Sequence, residues 1–212
     1  MKRLLLPAFL LLLAGCETAY YDAWEKLGVH KRDILVDRVE EAQETQEEGQ
    51  EQFKDALEQF RSVVNFDGGD LEDAYESLNA EYEDSVDAAE AIRDRIGAVE
   101  SVGEALFEEW QEELGQYTSD SLRRDSERQF RETRRRYDRL VSAMRRAENS
   151  IDPVLASLKD NVLYLKHNLN ARAIASLKGE LSTVNTNVDQ LIEDMQQAID
   201  ESNAFIAEMR GA

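Results

Sequence analysis

From residue 71 to residue 117 the chain repeats every seven residues. Leu71, Leu78, Ser85, Ile92, Val99, Leu106 and Glu113 hold one position of the heptad; Tyr75, Tyr82, Ala89, Ile96, Gly103, Trp110 and Tyr117 hold its partner position. An apolar period of 3.5 residues puts a narrow seam on one side of a helix and winds it left-handedly about a neighbour. At 1.5 Å per residue such a helix is roughly 70 Å long, several times the usual globular length. The neighbour is another helix of the same chain or a sister subunit. Either way the fold class is all-α, an elongated antiparallel helical bundle or coiled coil of about four long helices.

The remaining stretches agree with that class. One runs from about His30 to Val64, with Leu35, Val39, Ala42, Gly49, Phe53, Ala56, Phe60 and Val63 on its stripe and few apolar residues between 42 and 49. Asn65-Phe66-Asp67-Gly68-Gly69-Asp70 breaks it, since two glycines permit non-helical backbone and Asp70 suits an N-cap. A turn at residues 115–120 leads to a third stripe: Leu122, Ser126, Phe130, Thr133, Tyr137, Leu140, Met144, Ala147 and Ile151. Asp152-Pro153 reads as an N-cap followed by a first-turn proline, so a fourth helix is expected to start there. Within it Leu169, Ala173, Leu177 and Leu181 step by four, a stutter that predicts a kink or a short break. Helices so divided differ in length, which predicts that one overhangs or bends.

The start of the chain carries a different signal. Lys2 and Arg3 precede an apolar run from Leu4 to Leu13, and Leu13-Ala14-Gly15-Cys16 follows. The run is too short to span a bilayer and has the length of a signal-peptide core. A small-residue pair before cysteine is the pattern of a bacterial lipobox. The expectation is a signal peptide over 1–15, acyl chains on Cys16, a lipidated linker over 16–29, and a single helical domain over 30–212. Cys16 is the only cysteine, so no disulfide and no second thiol exists. Glu17 follows the lipidated position where an inner-membrane retention signal carries Asp, which favours the outer membrane. Tyr20, Tyr21 and Trp24 suit the lipid headgroups or packing on the bundle equally.

Charge is unevenly spread. The whole chain is −20, yet Ser121 to Arg146 holds ten arginines against four acidic residues. The nearest complement is the acidic first half of the chain. Arg123, Arg124, Arg128, Arg131, Arg134, Arg135, Arg136 and Arg139 are therefore expected to pair chiefly with Asp and Glu of the first two helices. Nucleic acid is excluded as a partner by export and by the overall negative charge.

Chemistry finds few footholds. The two histidines, His30 and His167, have Leu27 and Tyr164 three residues earlier, so the Glu-x-x-His spacing of di-metal bundles is absent. No glycine-rich phosphate loop, His-Glu-x-x-His pair or nucleophile elbow occurs. Acidic runs such as Glu44, Glu47, Glu48 and Glu51 read as a solvated helix face, and Asp67, Asp70 and Asp73 lack the alternate-residue spacing of a calcium loop. The reading is non-enzymatic, with no catalytic residue, cofactor or metal. At the stutter, His167, Asn168 and Asn170 form either a polar layer that fixes register or an interaction site.

Two segments, Val29-His30-Lys31-Arg32-Asp33-Ile34-Leu35-Val36-Asp37-Arg38-Val39-Glu40 and Leu163-Tyr164-Leu165-Lys166-His167-Asn168-Leu169-Asn170-Ala171, resemble a bacterial family catalogued as domain of unknown function 2959. The resemblance implies a helical, exported protein of Gram-negative bacteria and brings no activity, substrate or catalytic residue. The functional expectation is a lipid-anchored periplasmic scaffold, spacer or adaptor of the cell envelope. It is held to the membrane by Cys16 and works with an envelope protein partner or by self-association. The alternative is a periplasmic binding protein or holdase with an apolar groove between helices.

Overall fold

The computed structural model describes residues 30–66, 68 and 70–211; the expected signal peptide, Cys16 and the linker lie outside them. The described residues form four helices and no strand: α1 (Lys31–Val64), α2 (Leu71–Leu114), α3 (Asp120–His167) and α4 (Ala171–Gly211). Each helix packs against the next and α4 closes on α1, so the four form a ring in which α1 lies diagonal to α3 and α2 to α4. Neighbours are antiparallel. Gln52 of α1 meets Glu81 of α2, Trp110 of α2 meets Ser126 of α3, and Arg61 of α1 meets Asn185 of α4.

The heptad seam of α2 is its buried face. Leu78, Ser85, Ala89, Ile92, Ile96, Val99 and Gly103 all lie in the interior, against stripes from both flanking helices. Asp70 caps this helix as expected, its carboxylate accepting from the Glu72 N–H at 2.9 Å. Ahead of it Gly68 takes φ 156°, a backbone state open to glycine and strained for other residues.

The expected boundary between the third and fourth helices is corrected. Asp152-Pro153 does not start a helix; Pro153 sits inside α3, and the chain turns instead at Asn168-Leu169-Asn170. A proline in a helix interior removes one hydrogen bond and costs about 3 kcal/mol. Here its ring points to solvent, while Met144, Ala147, Ile151, Val154, Leu158, Val162 and Leu165 continue one buried stripe through it. Burying that stripe outweighs the lost bond, since each large side chain contributes about 1.5–3 kcal/mol. The Pro153 carbonyl, whose helix partner is Ser157, also accepts from the Ser157 hydroxyl at 2.8 Å and from the Asn187 amide of α4 at 3.3 Å. Moving the boundary narrows the expected spread of lengths without removing it: the helices have 34, 44, 48 and 41 residues.

An overhang remains at one end. Lys31 beside Glu109, and Arg136 beside Glu208, mark the level where α1 begins and α4 ends. The α2–α3 hairpin continues past that level by roughly two turns. Its two helices are joined there by aromatic rings. Phe107 and Phe130 meet edge to face at 5.7 Å, Trp110 and Phe130 at 5.6 Å, and the Trp110 indole N–H donates to the Ser126 hydroxyl at 2.9 Å.

The middle of α1, poor in apolar residues, is filled from across the ring. Ile92 and Met195 reach over Gly49, where a Cβ would stand 2.7 Å from Ile92 Cδ1. Beside it Gln46, 1% exposed, buries an amide with no hydrogen-bond partner at either end. Leaving such a group unpaired costs about 1–3 kcal/mol. Gln46→Leu should therefore raise the denaturation midpoint, by about 1–3 kcal/mol in chemical unfolding.

The glycines make a second test. Gly97 and Gly179 lie in helices with nothing within 4 Å of a built Cβ, so alanine there should stabilise by about 0.5–1 kcal/mol. At Gly103 a Cβ would fall 2.4 Å from the Tyr137 ring, and alanine should destabilise by about 1–3 kcal/mol despite its better helix propensity. Thermal melts of the three variants read both directions.

Candidate functional site

Two regions hold side chains that the core does not consume. The first is the far tip, opposite the end at which residue 30 enters. His167 closes α3 and is exposed, Asn168 is half-buried and Asn170 is exposed, so the three do not make a layer within the bundle. Their hydrogen bonds shape the turn. The Asn168 amide donates to the Tyr164 carbonyl at 2.8 Å, and the Asn170 side chain caps α4 by accepting from the N–H groups of Arg172 and Ala173 at 3.0 and 3.2 Å. Around this turn stand Leu163, Tyr164 and Leu169, exposed by 47%, 40% and 42%. The Tyr164 hydroxyl reaches the Ser176 hydroxyl at 3.3 Å, closing a cleft of about 540 Å³ with Asn161 and Leu177. Leu169, at the start of the stutter, stands in the turn beyond the last residue of α3, which is why it is exposed.

Polar groups inside the bundle sit elsewhere. Ser85 and Ser202 bond to the carbonyl four residues earlier, and Asp194 accepts from Ser150 at 2.5 Å and from Gln190 at 3.0 Å. Ser85 stands on the heptad seam, whereas nothing in the spacing of Asp194 separates it from the apolar stripe of α4. Among the described residues no three His, Asp or Glu side chains stand where they would hold a metal ion.

The second region is the arginine-bearing half of α3. The expected pairing with α1 and α2 is corrected. Arg123 pairs with Asp120 and Glu127, Arg128 with Asp125, and Arg134 with Asp138, all within α3. Arg136 reaches across to Glu208, which belongs to α4. Arg124, Arg131, Arg135 and Arg139 are exposed and make no ion pair with the described residues. Cross-helix pairing between α2 and α3 lies lower down, at Arg145 with Glu100 and at Arg93 with Glu148 and Asp152. Hydrogen bonds from Glu100 and then Glu148 hold the Arg145 guanidinium still more firmly protonated than usual.

A family profile described as protein of unknown function (DUF2959) matches residues 20–209, which takes in all four helices. The chain belongs to that family. No curated protein matches it. In this DUF2959 protein both regions therefore lie on the domain that defines the family.

Within the second region stands Tyr137, the pivot of α2, α3 and α4. Its ring fills the space over Gly103, meets Phe107 at 5.2 Å and Phe205 at 6.5 Å, and its hydroxyl points at the Glu100 carbonyl at 3.3 Å. Arg134 lies over the Phe107 ring at 4.9 Å. Burial first, and the Glu100 carboxylate second, push the Tyr137 phenol well above its ordinary 10.0. The folded state thus keeps a proton that the unfolded chain releases near pH 10, so stability is fully present below that pH and falls above it. Between pH 9 and pH 11 the parent should lose more stability than Tyr137→Phe, read by urea unfolding at each pH.

Proposed function

We propose that this protein is a lipid-anchored, non-enzymatic spacer or adaptor on the periplasmic face of a bacterial membrane, with the outer membrane favoured. The lipobox pattern ending in Cys16 supports the anchor. The observation that carries the adaptor role is the separation of the molecule's ends. The chain enters the bundle at residue 30, and the exposed Leu163, Tyr164 and Leu169 lie at the opposite end, roughly 50 Å away along α1. A rod of that length offers its apolar tip to a partner at a distance from the membrane. The binding-protein or holdase alternative needs a wide apolar groove between helices. Among the described residues the stripes face one another, and the clefts are walled by charged as well as apolar side chains, as at Arg32, Leu106, Trp110, Glu113, Glu132 and Met209.

Two measurements test the proposal. Cys16→Ser should abolish incorporation of labelled palmitate and release the protein from the membrane fraction. A photo-crosslinking residue at Tyr164 should give a reproducible adduct with an envelope protein in intact cells, and one at Glu51, midway along the rod, should not. Absence of any tip adduct would overturn the adaptor role, and retained palmitate labelling in Cys16→Ser would overturn the anchor.

A further inference from the structure

Four arginines on the outer side of α3 have no task within the described fold. Arg124, Arg131, Arg135 and Arg139 follow one another at steps of 7, 4 and 4 residues, which places them on one face of the helix. All four are exposed and none is hydrogen-bonded or ion-paired with the described residues. Arg128 extends the same face, tied only to Asp125 one turn away. Like charges held at this spacing repel, and the fold gains nothing from the arrangement. We propose that this arginine face is an electrostatic docking surface for an anionic lipid bilayer.

Its position favours that occupant, and this part of the argument rests on the anchor reading above. The face occupies the N-terminal half of α3, at the same end of the rod as residue 30 and along the overhanging α2–α3 hairpin. Thirteen residues separate Cys16 from His30, a tether of at most ~45 Å. Leu122, exposed by 59%, and the exposed Tyr117 stand at the tip of the hairpin, as apolar and aromatic residues do beside headgroups. Acidic neighbours flank the face: Glu127 is engaged with Arg123 and Asp138 with Arg134, and Glu132 is exposed on α3. Glu108, Glu112 and Glu113 are exposed on the adjoining α2, and Asp200 and Glu201 of α4 line the far wall of a cleft shared with Arg135 and Arg139. The strongly acidic face of α1, with Glu44, Glu48, Glu51, Asp55 and Glu58 exposed, belongs to the helix diagonally opposite. Salt screens charges beyond about 8–10 Å, so that face does not cancel the attraction.

A second copy of the chain is the rival occupant, because its α1 face carries the complementary sign. That face runs from Asp33 and Asp37, at the start of α1, through Glu44 to Glu58, so self-association is the outcome that the test must separate from bilayer binding.

The test uses the full mature chain carrying Cys16→Ser, so that no acyl chain masks weak binding. It is sedimented with vesicles of phosphatidylcholine alone, or of phosphatidylcholine and phosphatidylglycerol at two to one. The expected result is binding to the anionic vesicles only, weakening as salt rises. Changing Arg124, Arg131, Arg135 and Arg139 together to Glu should lower that binding at least roughly tenfold, with an unchanged helical melt. The same four positions as Lys should retain it. Failure of the parent to bind anionic vesicles, or equal binding by the Glu variant, overturns the proposal. So does salt-sensitive self-association that the Glu variant loses in the absence of vesicles, which would assign the face to a second copy. Vesicle binding does not depend on acylation, so its failure is distinguishable from failure of the palmitate experiment.

Discussion

The structure depends on four apolar stripes of nearly equal length. A helix of some forty residues buries only one side, and no single partner covers that side along its whole length. Closing the stripes into a ring solves this for all four at once, because each stripe then faces two neighbours and the diagonal helix. The consequence is cooperative. Pro153 is held in a helical conformation that it disfavours because breaking there would leave Val154, Leu158, Val162 and Leu165 without a place in the ring. Gln46 is kept buried without a partner for the same reason: its neighbours on α1 cannot leave the interior to release it.

That dependence explains what could be read from the residues. The class, the seam of α2, the stripe of α1 and the cap at Asp70 are local periodicities, and each lies where the spacing puts it. The helix boundary failed because two local signals conflicted. Asp-Pro resembles a helix start, while the step pattern from Met144 to Leu165 runs through it unbroken, and tertiary burial decides between them. The turn at residues 168–170 was marked by its stutter and asparagines. Its exposed Leu163, Tyr164 and Leu169 follow only once α3 is ended there. Cys16, the most specific residue in the sequence, lies outside the described residues.

The ionic pairing failed for a different reason, one of magnitude. An exposed ion pair contributes about 0–1 kcal/mol, so charge balance between segments does not choose a packing partner. Rings do: an aromatic pair adds about 0.5–1.5 kcal/mol beyond the area it buries. In the upper half of α3 the stripe thins to Ser126, Phe130, Thr133 and Tyr137, and it is Phe107, Trp110, Phe130 and Tyr137 that fasten α3 to α2. The arginines take whichever carboxylate is near, mostly one turn away on their own helix.

This division of labour has a further physical result. Because rings hold the hairpin, the basic residues need not turn inward, and the ring closure sends α1 and α3 to opposite corners of the bundle. A chain with net charge −20 thereby presents a basic face on the outer side of α3 and an acidic face along α1, on the opposite corner of the bundle. Had α3 neighboured α1, the two faces would lie within a Debye length and neutralise one another. Diagonal placement keeps them apart across the core.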